Sequence, residues 1–327
     1  VRRANTLSLF LRDGEGDRSR PSNLPAGVDL DDRGQWVRAG EVLALSTDAR
    51  ALARARALGF REVERSALPA LGMVIVRLRA PAGRSLPSAL SALRAADPDN
   101  AYDFNHLYRQ SQARRGAAAP PARRTGRNRA RSAPQAAPAQ AQAPRGVVGM
   151  IDGPVAPAHP ALAGAQVVNR SFVVGATRRD AAHGTAVASL LVGQDGPRLR
   201  AGLAGGRLLA ADVVSAEAAG FDLGAAAAIV RALDWIIAQG GPVVNIAARG
   251  VTARMAGPTN ALLEEAVRRA VARGVLVVAA VGNDGPAAPP RYPAAYPDVI
   301  GVTAVDGGGV IYRRAARGSH VDLAAPG

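Results

Sequence analysis

The sequence predicts an α/β domain, in which helices cover both faces of a parallel sheet, preceded by a small α+β domain. In the second half of the chain, short runs of β-branched and small apolar residues alternate with helical periods. That alternation is typical of strands buried on both faces of a sheet. In the first half, the predicted elements follow the order βαββαβ, which is typical of a ferredoxin-like domain. A length of 327 residues accommodates both domains.

The small domain is predicted to comprise residues 41–108. Its expected strands are 41–46, 61–66, 73–79 and 101–107, and its expected helices are 48–58 and 86–95. Residues 1–40 are rich in Arg, Asp, Gly and Pro without an apolar period, and we predict a disordered leader there. Residues 109–146 are a mixture of Pro, Ala, Gln and Arg, which predicts a disordered linker.

The parallel-sheet domain is predicted to comprise residues 147–327. Buried strands are expected at Val147–Ile151, Leu208–Asp212, Val243–Ala247 and Leu276–Val281. Helices are expected at Leu223–Gln239 and Pro258–Arg273, each with apolar residues on one face and a glycine after its end. Because ligand sites in such sheets lie at the carboxyl ends of the strands, polar residues at those ends are the candidates for function.

The net charge of +15 does not by itself predict a nucleic-acid partner. All 41 basic residues are arginine, and alanine, glycine and proline are abundant, as a GC-rich coding sequence produces. Nine of the arginines lie in residues 109–145, which contain no acidic residue, so about +6 remains elsewhere (15 − 9). We therefore expect no nucleic-acid binding by the folded domains. Binding by the arginine-rich linker stays an alternative that rests on charge alone.

Composition also bears on compartment and membrane association. The chain has no cysteine, which excludes disulfides and thiolate zinc sites. No apolar run reaches the roughly 20 residues that span a bilayer, so we expect no membrane span. The first twenty residues contain only a short apolar run, and we expect no signal peptide in this chain.

Three predicted strand or helix ends carry chemically useful side chains. Asp152 closes the first strand of the second domain, and His183 opens a helix 31 residues later. Asn283 follows a buried strand and a glycine, so its amide is expected at the same edge of the sheet.

The segments around these residues resemble the subtilisin family of serine proteases. VVGMIDGPV resembles the aspartate motif of that family, HGTAVASLLVG its histidine motif and VVAAVGNDG its oxyanion-asparagine segment, and VDLAAPG resembles the run that leads toward its serine. The aspartate precedes the histidine, as in that family. The resemblance implies that Asp152 orients His183, that His183 is general base and then general acid, and that Asn283 donates to the oxyanion.

Two local departures from the family pattern concern the aspartate and the substrate edge. Gly153 and Pro154 follow Asp152 where the family has a hydroxyl residue, so its carboxylate has one donor fewer. The family pairs extended substrate with a Ser-Leu-Gly run, and the matching residues here are Ala247, Ala248, Arg249 and Gly250. Arg249 is expected to crowd or charge that edge, so the preferred substrate side chain stays open.

The nucleophilic serine of the family is expected outside this chain, which ends at Gly327, and residues 1–327 alone are expected to be inactive. Ser319 precedes a strand instead of opening a helix, and Ser189 lies within the histidine helix. Ser319, Ser189 and Ser215 therefore all lack the sequence context of a nucleophile. A pseudoprotease or binding module that retains the fold is the alternative. A Gly-Thr-Ser run encoded shortly after Gly327 would distinguish the two.

The resemblance also implies partners and a compartment. It implies that the substrate is a polypeptide, and that the small domain is a propeptide that acts as intramolecular inhibitor and folding aid. We expect no cofactor and no metal, although the sequence does not reveal whether there are structural calcium sites. We expect a secreted or periplasmic location. His106, His159 and His320 do not have metal-ligand spacing, and we interpret them as structural.

Overall fold

The computed structural model describes residues 24–45, 48–110, 146–173, 180–194, 201–217, 221–250, 260–306 and 309–326. Their strands form two sheets. One has eight antiparallel strands and includes all the strands that precede residue 111, and the other has seven parallel strands from the second half of the chain.

The first sheet contains every strand predicted for the small domain. The elements are β1 (Val28–Leu30), β2 (Trp36–Leu45), α1 (Ala49–Ala57), β3 (Arg61–Leu68), β4 (Met73–Arg79), α2 (Leu86–Ala96) and β5 (Ala101–Gln110). The strand order is β3-β4-β2-β5. Side chains of Asp48 and Ser85 cap the N-termini of α1 and α2. Both helices pack on one face of the sheet through buried residues such as Leu52, Leu90 and Val76.

The prediction of a disordered leader over residues 1–40 is wrong for residues 24–40, whereas residues 1–23 lie outside the described part of the chain. β1 pairs with the beginning of β2. Val28 and Trp36 are buried against Leu107 and Leu223. These few apolar residues find partners far away in the chain, which a search for local periodicity cannot detect.

The other face of the antiparallel sheet packs on the second half of the chain. Leu43, Ile75 and Tyr108 belong to the same buried cluster as Leu262 and Leu263. The two halves therefore share one continuous hydrophobic core.

The second half folds as predicted into a parallel α/β domain. Its elements are β6 (Val147–Asp152), a 3-10 helix (Pro160–Leu162), β7 (Gln166–Ser171), α3 (Ala182–Val192), β8 (Arg207–Asp212), β9 (Val214–Glu217), β10 (Phe221–Ala225), α4 (Ala226–Ala238), β11 (Val243–Ile246), β12 (Ala248–Gly250), α5 (Ala261–Val271), β13 (Leu276–Ala280), β14 (Ile300–Val305) and β15 (Leu323–Pro326). The parallel sheet has the order β15-β14-β13-β11-β6-β8-β7.

Helices cover both faces of the parallel sheet because neighbouring residues of each strand point to opposite sides. Met150 of β6 packs with Ala188 and Val192 of α3. Ile151, the next residue, belongs instead to the core that contains α4 and α5. None of the helices in the described ranges is both long and apolar enough to cross a membrane.

Predicted boundaries differ from the structure at two helices and at the linker, among other places. The predicted helix 223–239 begins only at Ala226, because residues 223–225 belong to β10 and pair with β5. The predicted linker 109–146 loses its first two residues to β5, and its residues 111–145 lie outside the described part. The helix predicted at 258–273 is α5, with Asn260 as its N-cap.

Candidate active site

Asp152 and His183 are in direct contact at the carboxyl edge of the parallel sheet. Nδ1 of His183 lies 2.9 Å from Oδ1 of Asp152. Asp152 is the last residue of β6 and is fully buried, whereas the His183 side chain, in the first turn of α3, is 17% exposed. A proton on Nδ1 that is donated to the carboxylate leaves Nε2 as a hydrogen-bond acceptor.

Gly184 allows α3 to approach the turn that follows Asp152. A Cβ atom at this position would overlap the carbonyl oxygen of Pro154 and lie 2.7 Å from that of Gly153. Thr185 then ties the helix to the same turn, because its hydroxyl accepts a hydrogen bond from the main-chain N–H of Ala156 at 2.9 Å. The residue that follows His183 is therefore small for a steric reason.

The two carboxylate oxygens of Asp152 have different surroundings. Oδ1 accepts hydrogen bonds from the N–H of Gly153 at 2.6 Å and from the side-chain amide of Gln110 at 2.7 Å, in addition to the contact with His183. Oδ2 is buried and has no hydrogen-bond partner within the described residues. The donor that a hydroxyl residue at position 153 would supply is missing, as the sequence indicates.

Gln110 reaches the site because β5 continues between two strands of the second half. Arg109 lies opposite Leu223 of β10 on one side and opposite Arg249 of β12 on the other. Gln110 lies opposite Ala248. Sequence reasoning missed Gln110, since its contact with Asp152 spans 42 residues and no local pattern reports it.

The four predicted substrate-edge residues lie along one extended segment. The N–H of Ala247 donates to the carbonyl oxygen of Ile151 at 3.1 Å, which fixes the segment beside β6. Ala248, Arg249 and Gly250 form β12, the strand that pairs with the end of β5. The side chain of Arg249 lies outside what the structure describes.

Asn283 lies at the same edge of the sheet, two strands from Asp152. β13, which precedes it, is separated from β6 by β11, and all three strands are parallel, which gives a separation of about 10 Å between β6 and β13. Gly282 adopts a positive φ of 98° and turns the chain at this point. Nε of Arg314 donates to the carbonyl oxygen of Asn283 at 3.3 Å and holds the turn.

Two of the serines and two of the histidines set aside on sequence grounds have other hydrogen bonds in the structure. Ser189 donates its hydroxyl to the carbonyl oxygen of Ala186, and Ser215 donates to that of Leu223. His159 caps the 3-10 helix, and His106 is buried between Asp31 and Asn260. Burial lowers the pKa of His320. Among the residues that the structure describes, no group of three or more His, Cys, Asp or Glu side chains could hold a metal ion.

A family model described as the subtilase family matches residues 145–327, more than half of the chain. Subtilisin DY of Bacillus licheniformis is 32% identical over 197 residues, which cover 58% of this chain and 68% of that protein. The minor extracellular protease Epr of Bacillus subtilis (strain 168) is 36% identical over 99 residues, which cover 30% of this chain and 14% of that protein. This chain thus spans between 14 and 68% of the length of these two curated relatives.

A solved structure is similar over nearly the whole chain. Fervidolysin from Fervidobacterium pennivorans, described as a keratinolytic enzyme related to subtilisin, has a TM-score of 0.64 at 19% identity. The alignment covers 96% of this chain and 51% of fervidolysin, and at this identity it shows a common fold. The match to the family model, the identity with subtilisin DY and the shared fold together place this chain in the subtilase family.

Proposed function

We propose that this chain is part of a serine endopeptidase precursor, in which Asp152 and His183 are two members of a catalytic triad. The observation that carries the proposal is the 2.9 Å contact between His183 Nδ1 and Asp152 Oδ1 at the carboxyl edge of the sheet. The substrate is a polypeptide, in keeping with the subtilase family.

In this mechanism His183 moves one proton twice. Its Nε2 takes the proton of a serine hydroxyl as the serine oxygen attacks the carbonyl carbon of the scissile bond. The imidazolium then gives this proton to the leaving nitrogen, and an acyl-enzyme forms. Water, deprotonated by the same nitrogen, releases the acyl group. Buried Asp152 holds the imidazole in the required tautomer and stabilises its charged form.

Asn283 is proposed to donate its side-chain amide to the oxyanion of the tetrahedral intermediate. Its position after β13, at the edge that carries Asp152, supports this role. Loss of one such donor lowers kcat by on the order of 10²–10³-fold, which is the effect expected for Asn283→Ala.

The strand β12 and the preceding Ala247 are proposed to pair with extended substrate. β12 already pairs antiparallel with β5, so its main-chain groups are oriented for an extended chain. The buried Ala247 and Ala248 add little side-chain bulk on this edge.

The small domain that ends at Gln110 is proposed to be an intramolecular inhibitor and folding aid. Its strand β5 occupies the gap between β10 and β12, where substrate would bind, and Gln110 contacts Asp152. The small domain also forms a direct hydrogen bond with the second half of the chain. Asp103 accepts a hydrogen bond from the N–H of Ala261 at 2.7 Å, at the N-terminus of α5.

The experiment is His183→Ala in the full-length gene product. We expect the variant to lose both peptide hydrolysis and any self-cleavage within residues 109–146, because the serine hydroxyl then has no base. His159→Ala, which removes a histidine that only caps the 3-10 helix, is the matched control and should mature normally. Normal maturation of His183→Ala would mean that another protease processes the chain. An unmodified wild-type protein without hydrolytic activity would favour a pseudoprotease.

A further inference from the structure

Arg291 is a buried arginine whose hydrogen-bonding capacity is largely unused. It lies between β13 and β14, and its side chain is 12% exposed. Nη2 is 3.7 Å from Oδ2 of Asp284, which is an ion-pair distance but too long for a hydrogen bond. Nε and Nη1 are buried without a hydrogen-bond partner in the part of the chain described.

Such an arrangement favours an anion beside the guanidinium. A buried donor that is left unpaired is destabilising, and more so when the group is charged. Burial lowers the pKa of the Arg291 guanidinium, and the nearby charge of Arg109 lowers it further, while Asp284 acts in the opposite direction. A guanidinium nevertheless stays protonated at neutral pH. A second carboxylate would satisfy donors that Asp284 does not reach.

Two neighbours connect Arg291 with the proposed active site. Asp284, its ion-pair partner, directly follows Asn283. Arg109, whose charge reaches Arg291, is adjacent to Gln110, and Gln110 contacts Asp152. Arg291 is therefore paired with the residue that follows the proposed oxyanion donor, and it lies within electrostatic range of the extended strand that runs into the site.

This position singles out one residue of a bound substrate. The residue that supplies the scissile carbonyl must bring its oxygen to Asn283, if Asn283 acts as the oxyanion donor. Asp284 is the next residue in the chain, with Cα atoms about 3.8 Å apart, so the Asp284–Arg291 pair adjoins the place where that carbonyl would be held.

We propose that Arg291 is the specificity-determining residue of this site and selects substrates with Asp or Glu at the residue that supplies the scissile carbonyl. The inference rests on the proposed endopeptidase function. Lysine and arginine side chains are disfavoured at that position, because they would meet the charge of Arg291.

The test uses the full-length gene product, with the concentration of competent sites measured by a serine-directed phosphonate. Four peptides that differ only in the residue before the scissile bond, Glu, Gln, Leu or Arg, are compared by kcat/KM. We expect kcat/KM for Glu to exceed that for Gln at least about tenfold, since an ionised carboxylate is the stronger acceptor for a guanidinium. Arg291→Gln should remove this difference, and Arg291→Lys should keep part of it. Arg313→Gln, at an exposed arginine of the same region, should change nothing.

The outcomes separate this inference from the function on which it rests. Phosphonate labelling and hydrolysis with equal rates for Glu and Gln would overturn the role of Arg291 and leave the endopeptidase intact. If the wild type prefers small residues at this position and Arg291→Gly removes that preference, Arg291 only fills space. That result would also overturn the proposed role of Arg291. Absence of both labelling and hydrolysis would remove the endopeptidase and the inference together.

Discussion

The side-chain amide of Gln110 donates a hydrogen bond to Oδ1 of Asp152, at 2.7 Å. The same oxygen lies 2.9 Å from Nδ1 of His183, so the small domain and the imidazole share one acceptor. Release of the small domain would therefore leave Oδ1 with His183 and the N–H of Gly153, and would strengthen the contact on which the proposed mechanism depends.

Gly153 offers a way to remove the Gln110 contact without altering Gln110. A Cβ atom at position 153 would overlap Nε2 of Gln110, which is the far end of a flexible side chain and can move away. We expect Gly153→Ala and Gln110→Ala each to raise the basal peptide hydrolysis of the unprocessed full-length protein by about five- to tenfold, the value of one hydrogen bond of roughly 1–1.5 kcal/mol.

The double variant tests whether both substitutions act through this contact. Its effect should be close to that of either single variant, because the second substitution then has no contact left to remove. Additive effects of the two would show that they act independently.

Gly184→Ala should displace His183. The new Cβ atom would overlap the main-chain oxygen of Pro154, which cannot move as a side-chain end can. We expect a loss of about 1–3 kcal/mol in the free energy of unfolding. We expect kcat to fall by a larger fraction of its wild-type value than the free energy of unfolding does. The measurements are denaturant unfolding and steady-state kinetics. Ala186→Ser, at an exposed position of the same helix, is the control and should leave both nearly unchanged.

Asp103 should contribute to the docking of the small domain. Its Oδ2 accepts from the first N–H of α5, beside the N-cap residue Asn260, whose side chain accepts from Leu263. Removal of a carboxylate at such a helix N-terminus costs about 1 kcal/mol, and we expect Asp103→Ala to lower the Tm of the precursor by a few degrees. Asp99→Ala removes an exposed carboxylate of the same domain and should leave the Tm of the precursor unchanged. Equal Tm values for the two variants would contradict this role.

Protonation of Glu265 should make the domain less stable in acid. Hydrogen bonds from Arg268, and then from Arg269, lower the pKa of Glu265 to about 2, from 4.5. Since the folded state binds the proton less tightly, this stabilisation is present above pH 4.5 and is lost as the pH falls toward 2. Glu265→Gln should therefore flatten the fall in Tm between pH 5 and 2, whereas Glu264→Gln, with the same change of formal charge, should not. The same slope in both variants would rule out Glu265 as the cause.

Sequence reasoning succeeded where the signal was local. β4 has the predicted bounds, Met73–Arg79, because its apolar residues form one short run. The contact between Asp152 and His183 was predicted from motifs, and the structure shows it. Helix α4 begins later than predicted because Leu223 pairs with β5, more than 100 residues away. Gln110 was missed for the same reason, since only the fold brings it to Asp152.

Labelling of the full-length gene product with a serine-directed phosphonate tests most directly whether Asp152 and His183 activate a serine. The wild type and His159→Ala should each take up one phosphonate per chain, and peptide mapping should place it on one serine other than Ser189, Ser215 or Ser319. His183→Ala should take up none over the same period, because its serine has no base to accept the hydroxyl proton. Labelling of His183→Ala at the wild-type rate, or an adduct on Ser319, would contradict the assignment of this pair as the catalytic base and its partner.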